Sequence, residues 1–143
     1  MIKRTYPQSR LRRTRAKGFL RDLVAENHLS TNDLIQPIFI ADQSELKVEI
    51  PSMPGIYRHN LESLYAETEE LVKKGIKSIA IFPAIDSNKK DQKGSHAFDD
   101  KNIVCTALKG LADKFPEVIK IADVALDPFT DHGHDGVLLD GKV

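Results

Sequence analysis

Residues 60–82 read NLESLYAETEELVKKGIKSIAIF, and this stretch decides the fold class. Leu61, Leu64, Tyr65, Leu71 and Val72 recur at helical spacing and define one apolar face, with Asn60 placed to cap its start. Glu62, Glu67, Glu69 and Glu70 precede Lys73 and Lys74, an order of charge that suits the helix dipole. Gly75 ends the helix, because glycine adopts the left-handed conformation that closes one. The next five residues, Ser78-Ile79-Ala80-Ile81-Phe82, are short, apolar and rich in β-branched side chains, which predicts a buried strand.

The same alternation extends in both directions. Upstream, residues 34–40 (LIQPIFI) predict a first strand. Pro37 has no N–H for a ladder, so it is expected at the strand's entry or on a side that makes no bond. Ser52-Met53-Pro54-Gly55 is a turn, and Phe19, Leu20, Leu23 and Val24 predict a short amphipathic helix further back. Ser30 and Asp33 offer a start signal for one more turn. Downstream, Val104, Ala107, Leu108, Leu111 and Phe115 form another helical face, stopped by Pro116, and residues 118–126 (VIKIADVAL) predict a third strand. The polar connection over residues 83–100 is long enough to be mobile or functional. Strand, helix, strand, helix, strand with near-continuous apolar strands predicts an α/β parallel sheet with right-handed crossovers. A βα barrel and a doubly wound sheet both begin this way. The first strand-to-helix connection lacks Gly-x-Gly-x-x-Gly, which disfavours a dinucleotide-binding version.

Composition narrows the class. At 143 residues the chain suits one ordinary domain, and its 41% hydrophobic and 29% charged residues suit a globular protein. Lys+Arg and Asp+Glu both number 21, so there is no global field for nucleic acid or anionic lipid. A single cysteine, Cys105, excludes an internal disulfide framework and a thiolate zinc cage within one chain, and it reads as an ordinary packed residue. The first residues lack the apolar core of a signal peptide, and no apolar run approaches the ~20 residues that cross a bilayer. A cytoplasmic protein is the expectation.

Residues 1–18 are expected to be an extended basic arm, with residues 19–143 as the folded part. Lys3, Arg4, Arg10, Arg12, Arg13, Arg15 and Lys17 occur there without an acidic residue. A nucleic-acid tail is one reading, but Tyr6 is its only stacking aromatic and the remaining chain is net acidic. An arm that embraces a neighbouring subunit is the preferred reading.

Chemistry gathers at the C-terminal ends of parallel strands. There the third strand runs into Asp123-Val124-Ala125-Leu126-Asp127-Pro128-Phe129-Thr130-Asp131-His132-Gly133-His134-Asp135-Gly136, the densest run of ionisable groups in the chain. Asp123 and Asp127 project from the strand end, and His132, His134 and Asp135 come from a loop made pliable by Gly133 and Gly136. Carboxylates of this kind suit a hard cation such as Mg²⁺, whereas a His-rich set would suit Zn²⁺. The competing reading is a polar turn in which Asp127 caps the following residues and backbone groups satisfy the histidines.

The run Asp-Val-Ala-Leu-Asp-Pro-Phe-Thr-x-His-Gly-His-Asp-Gly resembles the signature of the porphobilinogen synthases, also called delta-aminolevulinic acid dehydratases. Other segments agree in order: Arg10-Leu11-Arg12-Arg13, Leu29-Ser30 through Asp33 to Phe39, Ser52-Met53-Pro54-Gly55-Ile56-Tyr57-Arg58, and Gly94-Ser95-His96-Ala97. The resemblance implies an N-terminal arm and the first three β/α units of a TIM (β/α)8 barrel, in a lyase that joins two molecules of 5-aminolevulinate into porphobilinogen during tetrapyrrole (haem) synthesis. It also implies self-association into large homo-oligomers, octamers in the family. Zinc-dependent members carry cysteines at the positions of Ala125, Asp127 and Asp135. The aspartate version therefore implies Mg²⁺ and no zinc–cysteine site, with Asp127 and Asp135 as metal residues and Asp123 beside the substrate pocket. Whether the two aspartates ligate an ion or replace it with hydrogen bonds stays open at this point.

The family forms Schiff bases on two lysines in later strands, in a motif of the Val-Lys-Pro kind that these 143 residues do not contain. Lys89, Lys90 and Lys93 lie in a polar loop where water keeps them protonated, and Lys120 has no covalent role in the family. A whole barrel takes ~250 residues. The expectation is an inactive fragment. The alternative is a non-catalytic half-barrel that binds partner chains through its arm and strand edges. A metal hydrolase built on the His/Asp loop is a third, weaker reading.

Overall fold

A computed structural model of the protein describes residues 5–7, 9, 10 and 12–142. Lys3, Arg4 and Leu11 of the basic arm lie outside these residues. The chain divides after Ser30 into two units. The first contains a 3-10 turn at Arg13–Arg15 and helix α1 (Gly18–Leu23), where the sequence places its short helix. On α1 and just after it, Phe19, Leu23 and Val24 are exposed.

The second unit is a five-stranded sheet flanked by two helices. Its elements are β1 (Gln36–Ala41), β2 (Lys47–Glu49), β3 (Tyr57–His59), α2 (Leu61–Lys73), β4 (Ser78–Ala84), α3 (Ile103–Lys114) and β5 (Ile119–Ala122). The strand order is β2-β3-β1-β4-β5. β1, β4 and β5 are parallel neighbours, the arrangement expected of a βαβαβ chain. Two strands were not foreseen. β3 pairs parallel with β1 at Phe39 and Ile40, and β2 pairs antiparallel with β3. Each has three residues of mixed polarity, too short and too polar for an apolar run to reveal. β1 is therefore an inner strand, and the edges are β2 and β5. Pro37 lies on the part of β1 that β3 does not reach, so a residue without N–H is tolerated there.

The helix ends behave as their residues dictate. Asn60 Oδ1 accepts the Ser63 N–H at 2.9 Å at the start of α2, and Asn102 Oδ1 accepts the Cys105 N–H at 2.9 Å at the start of α3. After α2, Gly75 takes φ +85°; its N–H reaches Val72 O and the Ile76 N–H reaches Leu71 O, both at 2.9 Å. This paired closure satisfies two carbonyls that the helix leaves free.

One face of the sheet carries the core. Ile38, Ile40, Ile79 and Ile81 pack against Leu64 and Leu71 of α2 and Ala107 and Leu111 of α3, with Val118 at the margin. Alternation turns Phe39, Phe82, Ile119 and Ile121 to the other face. Phe39 and Phe82 meet there with ring centroids 5.9 Å apart, while Ile119 is 60% and Ile121 38% exposed. The second face of the third strand is thus left open among the described residues. β5 ends at Ala122 and not at residue 126, and further on the Leu126 and Asp127 amides are engaged by a side chain of their own loop. Among the described residues no helix is long and apolar enough to cross a membrane.

Candidate functional site

The parallel strands β1, β4 and β5 deliver their C-terminal ends to one rim of the sheet. Asp42 follows β1 directly, and Asp86 lies two residues beyond β4. Lys89 Nζ pairs with Asp42 Oδ2 at 2.5 Å, which joins the two strand ends, and this contact raises the Lys89 pKa above its ordinary value. A cavity of about 150 Å³ beside this pair is lined by Asp42, Asp86, Lys89, His96, Lys101 and Asn102, among others. A wider cleft of about 410 Å³ is lined by Asp42, Arg58, Asp86, Lys90 and Pro128, among others. Sequence reasoning missed Arg58, Lys90, Asp42 and Asp86. Position was the available signal, since each of the two aspartates follows the end of a parallel strand. Arg58 and Lys90 arrive by tertiary folding and carry no local mark. Lys90 is half-buried at the cleft, where water contact was expected along the whole loop.

The loop after β5 is folded onto the loop after β4. Asp91 and Thr130 form a parallel bridge. Asp91 N–H donates to Phe129 O at 3.3 Å, and Asp131 N–H donates to Asp91 O at 3.1 Å. Gly94, at φ +63°, lets the backbone approach Thr130, Leu126 and Phe129, all of which a Cβ would meet at 3.4–3.5 Å. The Asp91 carboxylate turns back on its own loop and accepts the Lys93 and Ser95 N–H groups through Oδ1, at 2.9 and 3.0 Å. These bonds, Ser95 foremost, hold its pKa below the ordinary carboxylate value. The long polar connection is therefore an organised segment.

Within the β5 loop the expected residues have separate fates. Asp135 Oδ1 accepts two backbone N–H groups, from Leu126 at 2.6 Å and Asp127 at 3.1 Å. Thr130, 1% exposed, donates from Oγ1 to His134 O at 3.0 Å and lies 3.3 Å from Asp127 O. His132 Nδ1 accepts the His134 N–H at 3.2 Å, so its Nε2 carries the proton and donates to Gln92 O at 3.2 Å. The two imidazoles stack with centroids 5.9 Å apart. Asp127 is exposed at the turn. Asp123 is exposed one residue past β5 and is not among the residues lining the 410 Å³ cleft.

The same geometry tests which metal the loop could take. Among the described residues no group of three or more His, Cys, Asp or Glu side chains is arranged to hold an ion. Both nitrogens of His132 and one oxygen of Asp135 are committed to hydrogen bonds. A closed zinc-type cage does not fit this donor set. Mg²⁺ asks less, since it keeps several waters and takes one or two carboxylates. Asp127 offers such a carboxylate.

The comparisons with known proteins agree with one another. The family model for delta-aminolevulinic acid dehydratase matches residues 8–143. The chain is 44% identical over 134 residues to the delta-aminolevulinic acid dehydratase of Chlamydia pneumoniae, covering 94% of this chain and 40% of that protein. It is 42% identical over 134 residues to the same-named protein of Bradyrhizobium diazoefficiens, covering 94% and 38%. The crystal structure of the Toxoplasma gondii ME49 enzyme, solved with its reaction product porphobilinogen, superposes with a TM-score of 0.86 at 39% identity. That match covers 93% of this chain and 38% of the other, so the sheet and helices here correspond to a fragment of a (β/α)8 barrel. The chain spans about 40% of the length of the curated relatives it matches. A match that begins in the basic arm and continues through the parallel sheet into the aspartate loop makes this chain a member of the delta-aminolevulinic acid dehydratase family.

Proposed function

We propose that the protein carrying this sequence condenses two molecules of 5-aminolevulinate into porphobilinogen, and that the 143 residues alone do not. The observation that carries the reading is the aspartate loop, folded at the C-terminal rim of a parallel sheet in a chain that matches the family from residue 8 onward. Arg58 and Lys90 in the rim cleft are the cations available to a carboxylate-bearing substrate. Asp123, next to the strand end, is proposed to orient a water or an amine at the pocket's edge. The chemistry itself needs a lysine amine, desolvated so that it is neutral and nucleophilic, to attack a ketone. Lys89 is unsuited to that step, because its contact with Asp42 favours the ammonium.

Mg²⁺ fits this reading through Asp127, where it would supply positive charge beside the strand ends. The reading also includes self-association through the basic arm and a cytoplasmic location. The test is porphobilinogen formation from 5-aminolevulinate. Residues 1–143, purified alone, should give no product and no borohydride-trapped adduct above background lysine labelling, whereas the protein isolated from its native source should give both. Turnover by 1–143 would sink the proposal, and so would inactivity of the native protein with Mg²⁺ supplied.

The exposed Ile119 and Ile121 on edge strand β5 favour a second description for the isolated chain, a half-barrel that binds partner chains. Co-purification of a partner chain in fixed ratio, without turnover in the complex, would support it over the first.

A further inference from the structure

We infer that Asp135 organises the β5 loop by itself, so that its carboxylate does the work a bound metal would do in pinning residues 126 and 127. The inference goes beyond the reaction, since it concerns how the loop is held, whatever chemistry takes place beside it. Its basis is the convergence of two backbone donors on one anionic oxygen. The Leu126 N–H reaches Asp135 Oδ1 at 2.6 Å and the Asp127 N–H reaches the same atom at 3.1 Å. Two consecutive amides aimed at one carboxylate oxygen form a small anion-binding nest. A hydrogen bond to an ionised acceptor is shorter and stronger than one between neutral groups.

This closure ties position 135 back to the turn across eight and nine residues, and the loop between is fastened independently. Thr130 is buried and donates to His134 O, while Asp131 and Phe129 bond to the Asp91 backbone. His132 uses one nitrogen for the His134 amide and the other for Gln92 O. Asp135 Oδ1, Thr130 Oγ1 and both nitrogens of His132 thus go to backbone groups, and among the described residues no three-ligand set is present. A cation cannot accept an N–H, so the hold on these two amides comes from the carboxylate oxygen itself. Asp127 holds neither amide, so of the two exposed aspartates it is the one more open to a cation.

Peptide-level hydrogen–deuterium exchange on the intact protein tests this without turnover, so its outcome is separate from that of the activity assay. In the wild type, replacing Mg²⁺ by EDTA should change exchange across residues 124–131 far less than Asp135→Ala does. Asp135→Ala should speed it about tenfold to a hundredfold, as expected for losing bonds to a charged acceptor. Exchange in β4 should not change, which shows that the sheet is intact. Asp135→Asn keeps one acceptor oxygen without the charge and should fall between the two. If Asp135→Ala disturbs β4 as well, the Asn variant decides: faster loop exchange over an unchanged β4 supports the inference, and wild-type exchange in the loop overturns it. EDTA alone loosening the wild-type loop as much as Asp135→Ala does would also overturn it, because a metal would then be the organiser.

Discussion

Replacing Gly110 by alanine sets two opposing effects against each other at the α2–α3 contact. Gly110 lies inside α3, where alanine is favoured by ~1 kcal/mol on helix propensity alone. A Cβ at this position would lie 1.9 Å from Tyr65 Oη, 2.8 Å from Cζ and 3.2 Å from Cε1. The hydroxyl is the far end of the side chain, but the ring behind it is rigid and lies within contact distance too. Relief therefore requires the whole ring to swing or the helices to part. Tyr65 packs against the core cluster, and Lys114 Nζ sits 5.3 Å from its ring centroid, so moving it disturbs other contacts. Overpacking of this kind costs ~1–3 kcal/mol. The net expectation for Gly110→Ala is a loss of ~0–2 kcal/mol, read by urea denaturation followed by circular dichroism. In a Tyr65→Leu background the obstruction is gone, and the same substitution should be neutral or stabilising by up to ~1 kcal/mol. Stabilisation by the full propensity term in the Tyr65 background, with no coupling between the two sites, would refute the reasoning.

Three further outcomes follow from the geometry. Asn60→Ala removes the acceptor of the Ser63 N–H and should lower stability by ~1 kcal/mol, while Asn60→Ser should recover most of it in the same denaturation assay. His59 is buried and bonded through Nδ1 to Ser63 Oγ at 2.8 Å, and burial holds its pKa below 6.5 against the opposing pull of Glu67. The unfolded chain then takes up a proton before the folded one does, so stability should be fully present above pH 6.5 and fall as pH drops from there toward the folded value. A melting-temperature profile that His59→Gln fails to flatten in that window would count against this. The β5 edge should make isolated 1–143 associate, and Ile121→Lys should shift its sedimentation toward monomer; a wild-type monomer with strongly protected strand amides would show a self-sufficient core.

The sequence made the helices and the parallel order legible because those features repeat at short range. Asn60, Gly75 and Pro116 punctuate the chain, and the isoleucines of β1 and β4 alternate as half-buried strands do. β2 and β3 escaped notice because Lys47-Val48-Glu49 and Tyr57-Arg58-His59 owe their pairing to the hairpin that joins them and to an open side of β1, and not to composition. The site divided in the same way. The aspartate loop was visible as a dense run of ionisable groups, but the grip of Asp135 on two amides eight and nine residues away has no periodicity to betray it. Asp127 and Asp135 look equivalent in the sequence. In the fold both are exposed, but only Asp135 holds backbone amides.

The bridge between Asp91 and Thr130 makes two segments that are distant in sequence share one fate under attack. Lys89, Lys90 and Lys93 are the trypsin-sensitive points of the first segment, and each lies within four residues of that bridge. A single cut there would free the strand of backbone that accepts the Asp131 amide and the His132 ring, leaving the aspartate loop without its anchor. Nicking should therefore be sequential. The second segment has no Lys or Arg between Lys120 and Lys142, so trypsin makes only the first, slow scission, and a less specific protease should then cut the loosened aspartate loop faster in the nicked chain than in the intact one.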